Sequence, residues 1–203
     1  MIVSPPTILR NMYKQCTWRM SPTGEKVYLT FDDGPVPAVT EWVAEYLGKY
    51  NIKSTFFCVG DNVQKNPAIY EQLKKAGHTL GNHTHNHLKG FYTGNEIYFD
   101  NVKQCNDIMQ SNLFRPPYGQ LKFSQQRVLA KKYKIIMWDV LSYDYAQSIS
   151  PDKCVQNVVN YTRPGSIIVF HDSIKAQKNI TYALPKVIEQ LTDKGFTFDK
   201  IVG

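Results

Sequence analysis

Short runs of apolar and β-branched residues alternate along the chain with segments whose apolar positions recur every three to four residues. The runs predict strands at Val27–Phe31, Thr55–Val59, His78–Gly81, Leu113–Arg115, Ile135–Asp139, Ser166–His171 and Phe196–Phe198. The helical period predicts helices over 38–50, 66–76, 95–110, 124–133, 152–161 and 182–194. Lys75-Ala76-Gly77 and Asp193-Lys194-Gly195 read as helix ends, and Ser150-Pro151-Asp152 as a start with Pro151 at or near the first helical position. Strands that are nearly continuous in apolar residues, set between amphipathic helices, imply an α/β fold with a parallel sheet covered on its faces. Seven βα units suit a barrel or a doubly wound sheet. No Gly-x-Gly-x-x-Gly follows the first strand, which takes support from a dinucleotide fold. Residues 1–26, with Met12, Tyr13 and Trp18, predict an arm packed on the barrel, and residues 27–203 a single domain.

Length and composition narrow the class. A chain of 203 residues is one domain, long enough to bury its core without a disulfide or metal staple. With 42% hydrophobic, 20% charged and 13% aromatic residues it is an ordinary globular protein, neither disordered, collagenous nor coiled coil. It has no apolar run of membrane-spanning length. The first residues lack the charged and apolar regions of a signal peptide, so the expectation is a cytoplasmic protein as written, or an extracytoplasmic one whose export signal was removed. The net charge of +7 is scattered, its densest cluster being Lys131-Lys132-Tyr133-Lys134, and no nucleic-acid-binding spacing accompanies it. No nucleic-acid partner is expected. Cys16, Cys58, Cys105 and Cys154 are too far apart for a zinc ribbon or redox dithiol and read as reduced and structural.

The chemistry gathers at strand ends. Phe31 runs into Asp32-Asp33-Gly34-Pro35, the third strand into Asn82-His83-Thr84-His85-Asn86-His87, and the fourth into Arg115-Pro116-Pro117-Tyr118-Gly119. The fifth gives Trp138-Asp139 and then Tyr143-Asp144-Tyr145, and the sixth Phe170-His171-Asp172. In a parallel barrel these carboxyl ends open on one face, where active sites are built. Taken singly, each cluster has a plainer reading: a turn, loop histidines, a rigid connection with a surface arginine, a core histidine, aromatic packing. His83 and His87 are four apart, which on a helical turn puts both imidazoles on one side. Two histidines and a carboxylate form a catalytic zinc set with positions left for water. His85 and His78 read as bystanders. Because prolines carry no N–H, the first backbone donors after Pro116-Pro117 belong to Tyr118 and Gly119, and such a donor suits an oxyanion.

Together these motifs, in order over about residues 26–200, resemble the polysaccharide deacetylases, the NodB-homology group of carbohydrate esterase family 4. The resemblance implies a distorted, TIM-like (β/α)7 barrel and a divalent metal, Zn2+ or another such as Co2+ or Ni2+, held by Asp33, His83 and His87. It implies Asp32 as general base, Arg115 as its partner, the Tyr118 N–H as oxyanion donor and His171 as general acid. Val169 would line the acetyl-methyl pocket, and Tyr118, Trp138 and Tyr145 would meet the sugar. These roles suit the chemistry, since a neighbouring cation favours an ionised carboxylate and histidine carries a proton near neutrality.

One stretch departs from the family's pattern: Leu141 stands where an Asp supporting the catalytic histidine is expected, and Tyr145 replaces Trp. Asp144 or Asp139 is then expected to support His171. The implied activity is removal of acetyl groups from N-acetylated glycan sugars, of peptidoglycan or chitin type. The alternatives are an O-acetyl xylan esterase, a cyclic-amide hydrolase, or a catalytically weak glycan-binding relative.

Overall fold

The strand that organises the sheet is Lys26–Asp32, in which every residue after Lys26 is buried, on both faces. Such a strand must be flanked on both edges and covered on both sides. The computed structural model describes residues 2–22 and 24–203; Met1 and Thr23, both within the expected arm, lie outside the described residues. The chain begins with α1 (Thr7–Met12), β1 (Cys16–Thr17), β2 (Lys26–Asp32), α2 (Val39–Lys49), β3 (Thr55–Cys58), α3 (Gly60–Lys65) and α4 (Pro67–Lys75). It continues through β4 (Thr79–Asn82), α5 (Asn95–Met109), β5 (Leu113–Phe114), α6 (Phe123–Leu129), β6 (Lys134–Ile136) and β7 (Val140–Leu141). It ends with α7 (Pro151–Val159), β8 (Ile167–His171), α8 (Gln177–Asp193) and β9 (Thr197–Phe198). The strands lie in the order β1-β6-β5-β4-β3-β2-β8-β7, all parallel, with β9 added at the start of β2. This is the expected α/β architecture, a curled parallel sheet wrapped by helices. Phe31, Phe56 and Phe170 stack on neighbouring strands at the heart of the larger core. Among the described residues no helix is long and apolar enough to cross a membrane. All four cysteines are free and buried.

The differences from the sequence pattern have local causes. The strand expected at Ile135–Asp139 is two strands, because residues 137–139 cross from one end of the sheet to the other. Met137 N–H donates to Thr17 O at 2.8 Å on one side, and Asp139 N–H to Ile167 O at 3.0 Å on the other. Helix α8 starts at Gln177, five residues earlier than expected, because its first turns bury Asn179 and Ile180. Pro185 sits inside that helix and costs it one backbone bond. Helix α6 stops at Leu129, the expected last turn being irregular. Periodicity also missed the short elements α1, β1 and α3.

The segment before β2 joins the two ends of the sheet. Cys16 and Thr17 pair with Ile135 and Ile136, while Val3 O accepts from Leu141 N–H at 2.9 Å. Trp18 meets Trp138 edge-on, with centroids 6.3 Å apart. Asp139, fully buried, anchors this segment: it accepts from Arg10 Nη2 (2.6 Å), Arg163 Nε and Nη2 (3.0 and 2.9 Å) and Ser166 Oγ (2.8 Å). Burial pushes its carboxyl up, but the bonds from Arg163, Ser166 and Arg10 outweigh that and hold it below the ordinary carboxylate range. A depressed carboxyl stabilises the fold above its unfolded pKa, and that contribution disappears as pH falls through the folded value. Asp139→Asn should therefore cost about 1.5–3 kcal/mol near neutrality, in line with bonds to charged groups, lowering Tm by roughly 3–12 °C for a chain of this size. Thermal melts should show the gap between variant and wild type closing below about pH 4, near the carboxylate range, and a gap independent of pH would refute the assignment.

Candidate active site

Strand register aligns the candidate residues. Asp32 pairs with His171 across β2 and β8 and with Phe57 across β2 and β3; Cys58 pairs with Asn82, and Asn82 with Phe114. The residues just past these ends, among them Asp33, His83 and Arg115, therefore emerge on one rim. They surround a cavity of about 660 Å3 whose walls include Asp32, Asp33, His83, His87, Tyr118, Trp138, Leu141, Tyr145, Val169 and His171.

Asp33, His83 and His87 form a cluster whose ligand atoms all lie within 4.8 Å of one another. Asp33 Oδ1 is 3.7 Å from His83 Nε2 and 3.1 Å from His87 Nε2. Two ligands about 2.0–2.1 Å from a tetrahedral zinc stand roughly 3.3 Å apart, so the donors present fit such an ion. His83 Nδ1 lies 2.7 Å from the Arg115 carbonyl, which can only accept, so Nδ1 carries the proton and Nε2 offers its lone pair to the cluster. Burial keeps His83 uncharged, its pKa down at about 4. Burial pushes Asp33 up, but the hydrogen bond from His87 and the nearby His171 and His83 outweigh it, leaving the carboxyl well below its usual range. The two histidines do not share a helical turn: residues 83–89 are irregular, with φ of 62° at Thr84 and 56° at His87. His85 stays outside the cluster, its N–H held by Asn101, and His78 Nδ1 accepts from Ser54 N–H.

Asp32 Oδ1 accepts from Arg115 Nη1 at 2.6 Å, while Oδ2 has no protein partner among the described residues and borders the cavity. Arg115 is completely buried and also donates to Thr30 Oγ1, Ile136 O and Met137 O. His171 donates through Nδ1 to Asp144 Oδ1 at 2.8 Å and through its backbone N–H to Asp144 Oδ2 at 2.7 Å. That leaves Nε2 for the cavity. Burial opposes the imidazolium, but Asp144, with smaller contributions from Asp33 and Asp32, raises its pKa to about 9. Asp139, the other candidate partner, lies beside the start of β8 and belongs to the Arg10–Arg163 cluster. Parallel pairing of β7 with β8 puts Asp144, not Asp139, at the carboxyl end.

The remaining residues furnish the walls. Tyr118 has φ of 59°, and its N–H finds no acceptor among the described residues. Its ring rests against His87 with centroids 4.7 Å apart and is 55% exposed. Gly119 is forced: its φ is 64°, and a Cβ there would overlap the Trp138 ring. Val169 and Leu141 pair on adjacent strands, and the Tyr145 ring meets His171 edge-on at 4.7 Å. Leu141 is thus a buried apolar wall residue, and the histidine has its carboxylate without it. Sequence reasoning gave no role to Thr40, Asn62 or Asp172, which hold the acidic loop, or to Thr30, whose hydroxyl accepts from Arg115. Only the position of Asp172 directly after His171 hinted at one.

Known proteins resemble this chain in sequence and in fold. The family profile described as polysaccharide deacetylase matches residues 19–135. A peptidoglycan-N-acetylglucosamine deacetylase of Bacillus cereus is 32% identical over 85% of this chain, which spans 66% of that relative's length. The crystal structure of a peptidoglycan N-acetylglucosamine deacetylase in complex with a naphthalenyl N-hydroxybenzamide superposes with a TM-score of 0.89 at 28% identity, covering 97% of this chain and 95% of that one. A pseudoenzyme of carbohydrate esterase family 4 from Bacillus anthracis shares the fold at a TM-score of 0.81 and 24% identity, over 91% of this chain and 66% of that one. With motifs, fold and profile in accord, the chain belongs to the polysaccharide deacetylase family.

Proposed function

We propose that this protein hydrolyses the N-acetyl groups of N-acetylglucosamine units in a glycan of peptidoglycan or chitin type, using a divalent metal, Zn2+ first and Co2+ or Ni2+ as substitutes. The observation that carries this reading is the sharing of one cavity by three sets of groups: the Asp33–His83–His87 cluster, the Asp32–Arg115 pair and the Asp144–His171 pair. A fold shared with a pseudoenzyme does not separate a hydrolase from a binder; the presence of all three sets of groups supports the hydrolase. The relative crystallised with an N-hydroxybenzamide adds support, since hydroxamates chelate divalent metals.

Asp33, His83 and His87 would hold the ion, which would supply a Lewis acid for the acetyl carbonyl and make the attacking water more acidic. Asp32 Oδ2, free of Arg115, takes the proton from the attacking water, while Arg115 keeps the carboxylate aimed. The Tyr118 N–H donates a hydrogen bond to the carbonyl oxygen as negative charge develops there. His171, charged at neutral pH, passes its Nε2 proton to the departing amine. Val169 and Leu141 shelter the acetyl methyl, and Trp138 and Tyr145 offer flat apolar surfaces to the sugar.

An O-acetyl ester is the second reading, and His171 separates the two. An alkoxide leaves more easily than an amine, so an ester needs no acid held at a pKa of about 9. Acetate release from a panel of N- and O-acetylated glycans, with and without chelator, tests the assignment. N-acetyl substrates should be cleaved and chelator should stop it; a panel left untouched would indicate the catalytically weak relative.

Two sets of variants test the roles. Asp32→Asn should abolish turnover while retaining metal, whereas Asp33→Ala should lose metal affinity. Equal metal loss in both, measured by chelator competition, would void the division of labour. His171→Ala should cost on the order of 10²–10⁴ in kcat on an amide, the range for general acid–base catalysis, and less on an ester. Because the acid must be protonated, activity should fall as pH rises through the His171 pKa. Asp144→Asn removes the carboxylate that raises it, so this alkaline limb should move to lower pH; an unmoved limb would exclude His171 as its source.

A further inference from the structure

Asp33 has φ of 85°, a left-handed conformation that non-glycine residues seldom adopt. The two peptide planes flanking it are held by one residue that takes no part in the steps above. The plane before Asp33 offers the Asp32 carbonyl to the Asp172 backbone N–H at 3.0 Å. The plane after it offers the Gly34 N–H to Asp172 Oδ1 at 3.1 Å, and its carbonyl, that of Asp33, accepts from Asn62 Nδ2 at 2.7 Å. The orientation of those two planes is φ and ψ of Asp33. Asp172 is itself fixed: it is 1% exposed, and its Oδ2 accepts from the Thr40 hydroxyl at 2.6 Å, whose oxygen accepts from Val36 N–H at 2.7 Å. The fit is close enough that a Cβ on Gly34 would overlap the Asp172 carboxylate.

We propose that Asp172, together with Asn62, is a positioning residue that clamps the Asp33–Gly34 peptide plane and thereby sets the direction of the metal-binding carboxylate. This rests on the metal site of the proposed function. The bond from the Asp172 backbone to Asp32 O needs no side chain, so β2 and β8 stay paired when the carboxylate is removed. What is lost is the hold on ψ of Asp33. Partners that orient metal ligands from behind are typically worth 10–100-fold in metal affinity.

The test uses the full chain as wild type, Asp172→Ala, Asp172→Asn and Asn62→Ala. Zn2+ affinity is read by competition with a chromogenic chelator, the ligand field by the visible spectrum of the Co2+ form, and folding by circular dichroism of the metal-free proteins. Asp172→Ala and Asn62→Ala should fold, bind Zn2+ about 10–100-fold more weakly, and show a changed cobalt spectrum. Asp172→Asn should recover most of the affinity, because its amide still offers an oxygen to the Gly34 N–H. Wild-type affinity and spectrum in Asp172→Ala, or an Asn variant as impaired as Ala, overturns the clamp. Should Asp172→Ala fail to fold, Asn62→Ala and Asp172→Asn decide: wild-type affinity in Asn62→Ala overturns it. A wild-type chain that takes up no metal overturns the metal site and the clamp together, whereas a metal-binding wild type matched by its variants overturns the clamp alone.

Discussion

A guanidinium with no access to water sets the terms for the whole cavity. Arg115 cannot shed its proton, so its burial requires a counter-charge and acceptors for its donors. It stands just past β5, and its acceptors come from β2, from the end of β6 and from the segment that crosses to β7. The face of Phe57 on β3 lies 4.1 Å away. One side chain therefore ties strands from across the barrel, and Asp32 is the one carboxylate among its acceptors. The same residue's carbonyl fixes the tautomer of His83. The orientation of the Asp32 carboxylate and that of the His83 ring thus depend on a single residue, between β5 and two prolines that make no competing backbone donation.

The neighbouring aspartates pose a geometric problem. Successive side chains of an extended strand point to opposite faces, so Asp32 and Asp33 cannot both meet one cavity while β2 runs straight. The chain leaves the strand after Asp32 and takes a left-handed step at Asp33. That step brings the second carboxylate to the side of the first, at a cost in backbone strain that the surrounding polar cage offsets. Left-handed residues recur around the cavity at Thr84, His87 and Tyr118. Each re-aims a backbone or side-chain group that regular geometry would send elsewhere.

This also explains which parts of the molecule were legible in the sequence. Val27, Tyr28, Leu29 and Phe31 announce a strand because burial on both faces demands a nearly continuous apolar run, and the strand ends then mark where polar clusters converge. The motifs Asp32-Asp33-Gly34-Pro35 and Arg115-Pro116-Pro117 pointed to the right rim. What stayed hidden were bonds between residues far apart in the chain. Asp139 and Asp144 are the same residue type five positions apart, and only the register of β7 against β8 separates a structural anchor from the partner of His171. The helical turn inferred from the His83–His87 spacing is absent because positive φ angles, which no periodicity encodes, bring the rings together instead. The first turns of α8, the strand β1 and the helix α1 exist through tertiary contacts, and their own sequences carry little propensity signal.

The fold is shared with a pseudoenzyme, so the fold by itself does not separate catalysis from binding, and that distinction rests on the contacts around the cavity. Of these the pair at His171 is the most telling. Binding a sugar needs no charged imidazole, and an acid at that position is costly to keep, since burial alone would drive the proton off. Asp144 reverses this by accepting from both the ring and the backbone of the same residue, and it is itself pinned by Ser142 and by Asn179, which bonds its carbonyl. An arrangement that spends four hydrogen bonds on keeping one proton beside a cavity is suited to breaking a bond whose leaving group needs that proton, and among acetyl transfers to water that bond is the amide.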